Sequence, residues 1–338
     1  MDWVLLVASL FVILGGAELF TNGVEWVGEG FGLSEGAVGS VLAAIGTALP
    51  ETLLPVVAIF GGHAAGEEIG IGAILGAPFM LTTLALCLFA ITVLLGARRG
   101  SRSAEIEHDP GVIRQDMTFF IGMYGSAFLM GLIPGRVLHA ALVPFLIVAY
   151  VVYVRRRLGS PGGKVEEQEA VGEVRPLRLG VLFGRPQRPS VMLSGTQTVI
   201  ALVVLVAGAD LFVHVVSDLA AALGVSELMF SLLVAPLATE LPEAMNASVI
   251  WARRGKDVLA LGNVAGAIVF QSAFPVSLGL LFTPWHLDAV SGAAAAIALL
   301  AGAIVLATVR IRGALDARLL ALQGLLWVGY VAFVLRRI

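Results

Sequence analysis

Two short acidic motifs of the same pattern lie inside long apolar runs of the chain. The sequence GTALPE at 46–51 returns 192 positions later as ATELPE at 238–243. An ionisable side chain within an apolar membrane helix is costly and marks a functional site by default. Because Glu51 and Glu243 occupy matching places in two halves of one chain, we predict that they form a paired cation site.

The motifs supply three kinds of oxygen ligand. In each motif a threonine precedes the last glutamate by four residues, which places both on one helix face: Thr47 with Glu51, and Thr239 with Glu243. The proline between them has no N–H, so the carbonyl four residues before it loses its helical donor. Carboxylate, hydroxyl and carbonyl oxygens suit a hard cation such as Ca²⁺. In the alternative interpretation, the prolines only kink the helices while the glutamates hydrogen-bond between them.

The composition places the chain among membrane proteins. Of 338 residues, 58% are hydrophobic and 13% are charged, and the mean hydropathy is +0.95. We therefore predict that it lies in a lipid bilayer. The net charge of −3 and the absence of a basic-aromatic patch argue against a nucleic-acid partner. The sequence contains no phosphate-binding loop or nucleophile motif, so we expect no cofactor and no enzyme activity. It contains no pattern that predicts an oligomeric state.

The apolar runs that are long enough to cross a bilayer number ten. They lie near 3–24, 34–60, 69–95, 113–134, 137–154, 196–222, 226–251, 257–282, 287–309 and 317–335. A long polar stretch after the fifth run divides the chain into a first half, a cytoplasmic linker and a second half, at 1–155, 156–195 and 196–338. We predict an all-α polytopic membrane protein with ten transmembrane helices, arranged as two inverted five-helix repeats.

The inversion follows from the similarity of the halves and from their number of spans. At the offset of the motifs, GAELF at 16–20 matches GADLF at 208–212, and with a two-residue gap Gly72 matches Gly262. Because each half has an odd number of spans, the second half enters the membrane in the opposite orientation. Inverted repeats with a substrate site at their midplane interface are typical of secondary transporters.

Basic residues indicate the orientation. If the N-terminus lies outside, the inner loops and the linker collect most of the arginines and lysines, and the outer side keeps only Arg136, Arg336 and Arg337. This positive-inside asymmetry predicts that both termini lie outside, in the inner membrane of a prokaryotic cell.

Other polar residues receive structural interpretations. Glu18 and Asp210, the acids of the matching GAELF and GADLF segments, are expected to tie helices together. His63 belongs to a short turn that we expect to be solvated. The five histidines show no spacing typical of metal ligands.

Both halves resemble the α-repeats of the cation/calcium exchanger superfamily, the family of sodium/calcium exchangers. The repeat signature of that family is GTSLPE, followed further along by GNxxGSNxF and an Asn or Asp. Here 262–271 reads GNVAGAIVFQ, and 72–81 reads GAILGAPFML, a more distant match. The resemblance implies ten helices, alternating access, and antiport of Ca²⁺ against Na⁺ or H⁺. It also implies that the threonine and glutamate of both motifs bind calcium, here Thr47, Glu51, Thr239 and Glu243.

The chain departs from the family pattern where that pattern provides sodium ligands. The serine positions carry Ala48, Glu240, Ala77 and Ala267, and the Asn/Asp positions carry Leu81 and Gln271. We add Glu240 and Gln271 to the candidate metal ligands. A third carboxylate beside two others favours protonation, so Glu240 is a candidate proton carrier. The alternative is that Glu240 points to a neighbouring helix outside the site.

These features lead to several functional hypotheses. The first is a secondary active antiporter that exports Ca²⁺ in exchange for Na⁺ or H⁺, with the inorganic cation bound between the two motifs. The second is a cation/proton exchanger for another divalent ion, with Glu240 as the proton carrier. A channel or a non-transporting membrane scaffold is a different class, and the retention of both threonines and both glutamates argues against the scaffold.

Overall fold

The structure is a computed structural model and consists of helices that follow the predicted apolar runs. It describes residues 1–31, 43–158, 176–182, 189–240, 244–245, 252 and 255–336, without the side chains of 43–47, 49, 158, 182 and 238. The helices are α1 (Asp2–Gly30), α2 (Ala43–Phe60), α3 (Gly66–Met80), α4 (Leu86–Arg98), α5 (Pro110–Gly131), α6 (Arg136–Leu158), α7 (Arg178–Leu182), α8 (Val191–Leu223), α9 (Glu227–Thr239), α10 (Asp257–Gln271), α11 (Phe274–Phe282), α12 (Ala289–Arg312) and α13 (Ala317–Leu335).

Seven helical segments of the described chain are long and apolar enough to cross a membrane. They are Asp2–Gly30, Gly66–Arg98, Arg136–Arg157, Val191–Leu223, Asp257–Phe282, Ala289–Arg312 and Ala317–Leu335. Two shorter apolar segments, Pro50–Phe60 and Glu227–Leu237, lie within α2 and α9, where parts of the predicted spans fall outside the described residues. The helix α5 covers the fourth predicted span and is not one of the seven. The membrane-spanning part of the described chain is therefore all-helical, as predicted.

Local sequence signals set several helix boundaries. Asp109 caps α5 by accepting a hydrogen bond from the Gly111 N–H at 2.7 Å, and Pro110 fills the first helical position. The helix α8 ends at Gly224, whose φ of +69° is left-handed and therefore favours glycine. The polar segment that follows α6 is longer by sequence than any other loop, and its described part includes the short helix α7.

Two long helices are irregular at matching positions. A π-helical turn at Leu81–Ala85 joins α3 to α4, and α10 breaks before α11 at Ser272 and Ala273. In both places a hydroxyl donates to the carbonyl four residues earlier, at 2.7 Å: Thr82 to Pro78, and Ser272 to Ile268. Such side-chain bonds and π-turns locally alter a helix, often at functional sites.

The helices α1 and α8 pack closely through glycines. A Cβ atom on Gly16 would lie 2.9 Å from Leu205 Cγ, and a Cβ atom on Gly208 would lie 3.1 Å from Ile13 Cγ1. Gly16 and Gly208 are 192 positions apart, as are Ile13 and Leu205. The same contact is therefore made twice, once from each helix, and small residues allow the two backbones to approach.

The helices α3 and α9 form a second close pair. A Cβ atom on Gly76 would overlap the carbonyl oxygen of Leu232, and one on Gly72 would lie 2.6 Å from that of Leu228. The Ser231 hydroxyl also donates to the carbonyl oxygen of Ile69 at 2.7 Å. This contact fixes the position of α9, whose last turn leads into the second acidic motif.

Polar contacts between loops hold the start of α10. Arg102 donates to both carboxylate oxygens of Asp257, and its Nη1 also donates to the carbonyl of Ala252 at 3.0 Å. Close to these residues the strand β1 (Glu105–Ile106) pairs with the antiparallel strand β2 (Leu315–Asp316), a small element that the sequence did not predict. The Asp257 carboxylate is buried, so the paired guanidinium of Arg102 is required to stabilise its negative charge.

We expect Gly76→Ala to lower the midpoint of thermal unfolding, because the added methyl group collides with a backbone carbonyl of α9. Overpacking of this kind costs about 1–3 kcal/mol. Gly122→Ala is the matched control, since nothing lies within 4 Å of its added atom and alanine has the higher helix propensity. Intrinsic tryptophan fluorescence during heating in detergent measures the unfolding midpoints of both variants. Equal midpoints in the two variants would contradict the close packing of α3 against α9.

Candidate cation site

Three side chains from three helices meet in the interior of the protein. Glu51 lies in α2 directly after Pro50, Glu240 follows the last residue of α9, and Gln271 is the last residue of α10. All three are buried, with exposed fractions of 6%, 0% and 1%. The structure thus brings together one predicted acid from the first motif, one from the second, and the predicted amide.

Gln271 connects the two acids. Its amide nitrogen donates to Glu51 Oε2 at 2.6 Å and to Glu240 Oε1 at 2.6 Å. A primary amide has two N–H groups, so one nitrogen can serve two carboxylates at once. Residues separated by 220 and 31 positions in sequence are joined in this way into one polar centre.

Two carboxylates in one buried centre are costly when both are charged. Two like unit charges about 4 Å apart repel by roughly 4 kcal/mol at an effective dielectric constant of about 20. The amide of Gln271 lowers this cost by hydrogen bonding, but it carries no net charge. A bound cation, or a proton on one of the carboxylates, neutralises the pair more completely. The three residues are therefore candidates for holding a cation or a proton.

The other predicted ligands are described only in part. Thr239 is buried at the end of α9, and its hydroxyl donates to the Ala235 carbonyl at 3.4 Å. Thr47 belongs to α2, but its side chain lies outside the described residues, and so does all of Glu243. Their role as ligands stays a prediction.

The helix ends at the site follow from the local sequence. The Glu240 N–H donates to the carbonyl of Pro236 at 2.8 Å, and the Glu240 carbonyl accepts from the Ala244 N–H at 3.0 Å. Proline within α2 and α9 removes helical hydrogen bonds near both acids. Irregular backbone at membrane depth is tolerated where it is buried or lines an ion path.

The centre is asymmetric between the two halves. Ala48 stands at the position that matches Glu240, and Leu81 at the position that matches Gln271. The second half therefore contributes both the extra carboxylate and the amide, whereas the first half has apolar residues at the matching sequence positions.

The repeat-related acids Glu18 and Asp210 lie outside this centre and tie segments together, as predicted. Glu18 pairs with Arg178 of α7, and Asp210 pairs with His63 in the turn after α2.

The expectation of a solvated His63 is wrong, because its side chain is only 12% exposed. Two of the histidines nevertheless come together with an acid: His63, Asp210 and His214 form a group that could hold a metal ion. The spacing of Asp210 and His214, one helical turn apart, was the available signal.

Comparison with known proteins agrees with this architecture. The sequence profile of the family described as sodium/calcium exchanger protein matches residues 1–159 and 194–338. An uncharacterized membrane protein of Methanocaldococcus jannaschii is 26% identical over 281 residues, which is 83% of this chain and 81% of that protein. CaxA of Alkalimonas amylolytica, a protein named as an antiporter, is 24% identical over 319 residues, 91% of each chain.

Solved structures show the same fold. The H⁺/Ca²⁺ exchanger CAX superposes with a TM-score of 0.68 at 17% identity, covering 98% of this chain and 82% of that one. The sodium-calcium exchanger NCX_Mj superposes with a TM-score of 0.55 at 21% identity, covering 98% and 97%. The fold is thus the one that these ion exchangers share. The chain belongs to the sodium/calcium exchanger family, within the cation/calcium exchanger superfamily.

We expect Gln271→Leu to lower the unfolding midpoint more than Gln323→Leu does. Gln271 supplies hydrogen bonds to two carboxylates, and bonds to charged groups contribute about 1.5–3 kcal/mol each. Gln323 is equally buried, but its amide nitrogen donates to a single neutral carbonyl, that of Ala301. Adding Glu51→Gln to Gln271→Leu should restore part of the loss, because it removes one of the two facing charges. No difference between the two single variants would contradict the bridging role of Gln271.

Proposed function

We propose that this protein is a secondary active antiporter that moves Ca²⁺ out of the cell in exchange for H⁺ by alternating access. The observation that carries the proposal is the buried amide of Gln271, whose nitrogen donates to carboxylates of both the first and the second half. A cation bound at these oxygens contacts both halves at once. Its binding is therefore coupled to how the halves are arranged, which is the requirement for antiport.

We further propose ten transmembrane helices in two inverted repeats, at 1–155 and 196–338, with a cytoplasmic linker at 156–195. The reciprocal contacts of Gly16 and Gly208 between α1 and α8 support this proposal. The matching irregularities at Leu81–Ala85 and at Ser272 support it as well. By the distribution of basic residues, both termini lie outside and the membrane is a prokaryotic inner membrane.

Calcium occupies the oxygens of Glu51, with Thr47, Thr239 and Glu243 as further ligands by their places in the motifs. Ca²⁺ takes about six to eight oxygen ligands, so a set drawn from both motifs is needed. The cation and the amide hydrogens of Gln271 compete for the same carboxylate oxygens. When the cation binds, Gln271 turns and can offer its amide oxygen instead.

The proton is carried by Glu240. This carboxylate is fully buried and shares a hydrogen-bond donor with Glu51. With two acids this close, loss of the cation favours protonation of one of them. The alanines at the family's serine positions remove hydroxyl ligands that Na⁺ needs, which favours H⁺ over Na⁺ as the coupling ion. The names of CaxA as an antiporter and of CAX as an H⁺/Ca²⁺ exchanger agree with this assignment.

On this proposal the protein is a transporter and not an enzyme. Its partners are the lipid bilayer and inorganic cations. The buried centre consists of two acids and an amide. No resident cofactor is needed for the exchange, since Ca²⁺ and H⁺ are the substrates.

Transport into proteoliposomes tests the proposal. We expect Ca²⁺ flux when a pH gradient is imposed without Na⁺, and little flux with a Na⁺ gradient alone. Glu240→Gln should abolish the pH-driven flux, because the amide cannot carry the proton. Glu68→Gln, which changes an exposed carboxylate at the start of α3, is the control and should leave flux unchanged. Flux driven by Na⁺ alone and unaffected by Glu240→Gln would contradict proton coupling, and flux without any counter-ion would indicate a channel.

A further inference from the structure

A second group of metal-ligating side chains lies apart from the acidic centre. His63 sits in the turn between α2 and α3, and Asp210 and His214 lie one turn apart on α8. One ligand atom from each of the three residues can be chosen so that all lie within 4.8 Å of one another. We propose that these residues form a binding site for a late first-row divalent metal such as Zn²⁺.

The distances fit such an ion. His63 Nε2 lies 3.0 Å from Asp210 Oδ1, and His214 Nδ1 lies 3.7 Å from Asp210 Oδ2. Ligand atoms of a tetrahedral zinc site, with bonds of about 2.0–2.2 Å, are roughly 3.3 Å apart. Small side-chain movements therefore place all three around one metal ion. Water completes the coordination, because Asp210 and His214 are 48% and 60% exposed.

The backbone around His63 is built to hold its ring in this position. A Cβ atom on Gly61 would lie 2.9 Å from Cδ2 and 3.0 Å from Nε2 of His63, so the ring occupies the space that a larger residue would fill. Gly62, in the same turn, has a φ of +78°, a left-handed conformation that favours glycine. The two imidazole rings contact edge to face, with centroids 4.4 Å apart. His63 is thus directed at the helix that carries the other two ligands.

One existing contact must change. His214 Nδ1 lies 3.0 Å from the carbonyl oxygen of Asp210 in the same helix. Metal binding replaces this hydrogen bond with a coordinate bond, and the exposed ring is free to turn. The Asp210 carboxylate already accepts a hydrogen bond from His63. Its negative charge therefore lies where it would neutralise a bound cation.

The chemistry of this group separates it from the transport site. Imidazole nitrogens favour Zn²⁺, Co²⁺, Ni²⁺ and Cu²⁺, whereas the all-oxygen centre at Glu51 suits Ca²⁺. A metal bound here joins the turn that follows α2 to α8. It therefore restrains α2, the helix that contains Glu51, relative to α8.

Calorimetric titration of ZnCl₂ into the purified full chain in detergent tests the site. We expect one equivalent to bind, and we expect His63→Ala and His214→Ala each to weaken the affinity by about tenfold or more. Two controls should bind as the wild type does. His286→Ala removes an exposed histidine elsewhere, and Glu51→Gln alters the transport site. Wild-type affinity in both His63→Ala and His214→Ala, or loss of binding in Glu51→Gln, would overturn the proposal.

A second variant tests the site even if His63→Ala fails to fold. Because the His214 side chain is exposed, His214→Cys should fold and retain a metal ligand. With Co²⁺ it should show a thiolate-to-metal charge-transfer absorption that His286→Cys lacks. Absence of that absorption from a folded His214→Cys protein would refute coordination at this position.

Discussion

The structure depends on how two carboxylates can be held inside an apolar helical protein. Glu51 and Glu240 come from different halves, and both are removed from water. Their mutual repulsion and lost hydration must be balanced by hydrogen bonds, protons or cations. Gln271 supplies hydrogen bonds to both of them. In the proposed function a cation or a proton neutralises these acids further, and the exchange of one for the other is what an antiporter requires.

Helix packing provides the frame for this centre. Glycine contacts bring α1 against α8 and α3 against α9, so the helices from the two halves interleave and do not form separate bundles. In a bilayer, close packing of small residues replaces the hydrophobic driving force that is available in water. The break between α10 and α11 then allows the end of α10, with Gln271, to reach the acids of α2 and α9.

Much of the fold and part of the site could be predicted from the sequence. Hydropathy located the apolar helices, and the repeated motif identified Glu51 and Glu240. The resemblance to the exchanger family identified Gln271, and the structure places the three together. The bridge itself could not be predicted, because it depends on a side-chain orientation across 220 positions. The helix break at Ser272 could not be predicted, because hydropathy averaged over a span does not detect a local change in backbone hydrogen bonding. The pairing of His63 with Asp210 was missed for the same reason as the bridge, since it joins residues far apart in sequence.

An anomalous difference map from a crystal soaked in Ca²⁺ tests the central claim most directly. That claim is that a cation and the Gln271 amide compete for the same carboxylate oxygens. The account predicts a peak about 2.3–2.6 Å from a Glu51 carboxylate oxygen, with the Gln271 amide nitrogen withdrawn from Glu51. A peak remote from Glu51, or a bound ion with Gln271 still donating to both acids, would contradict it.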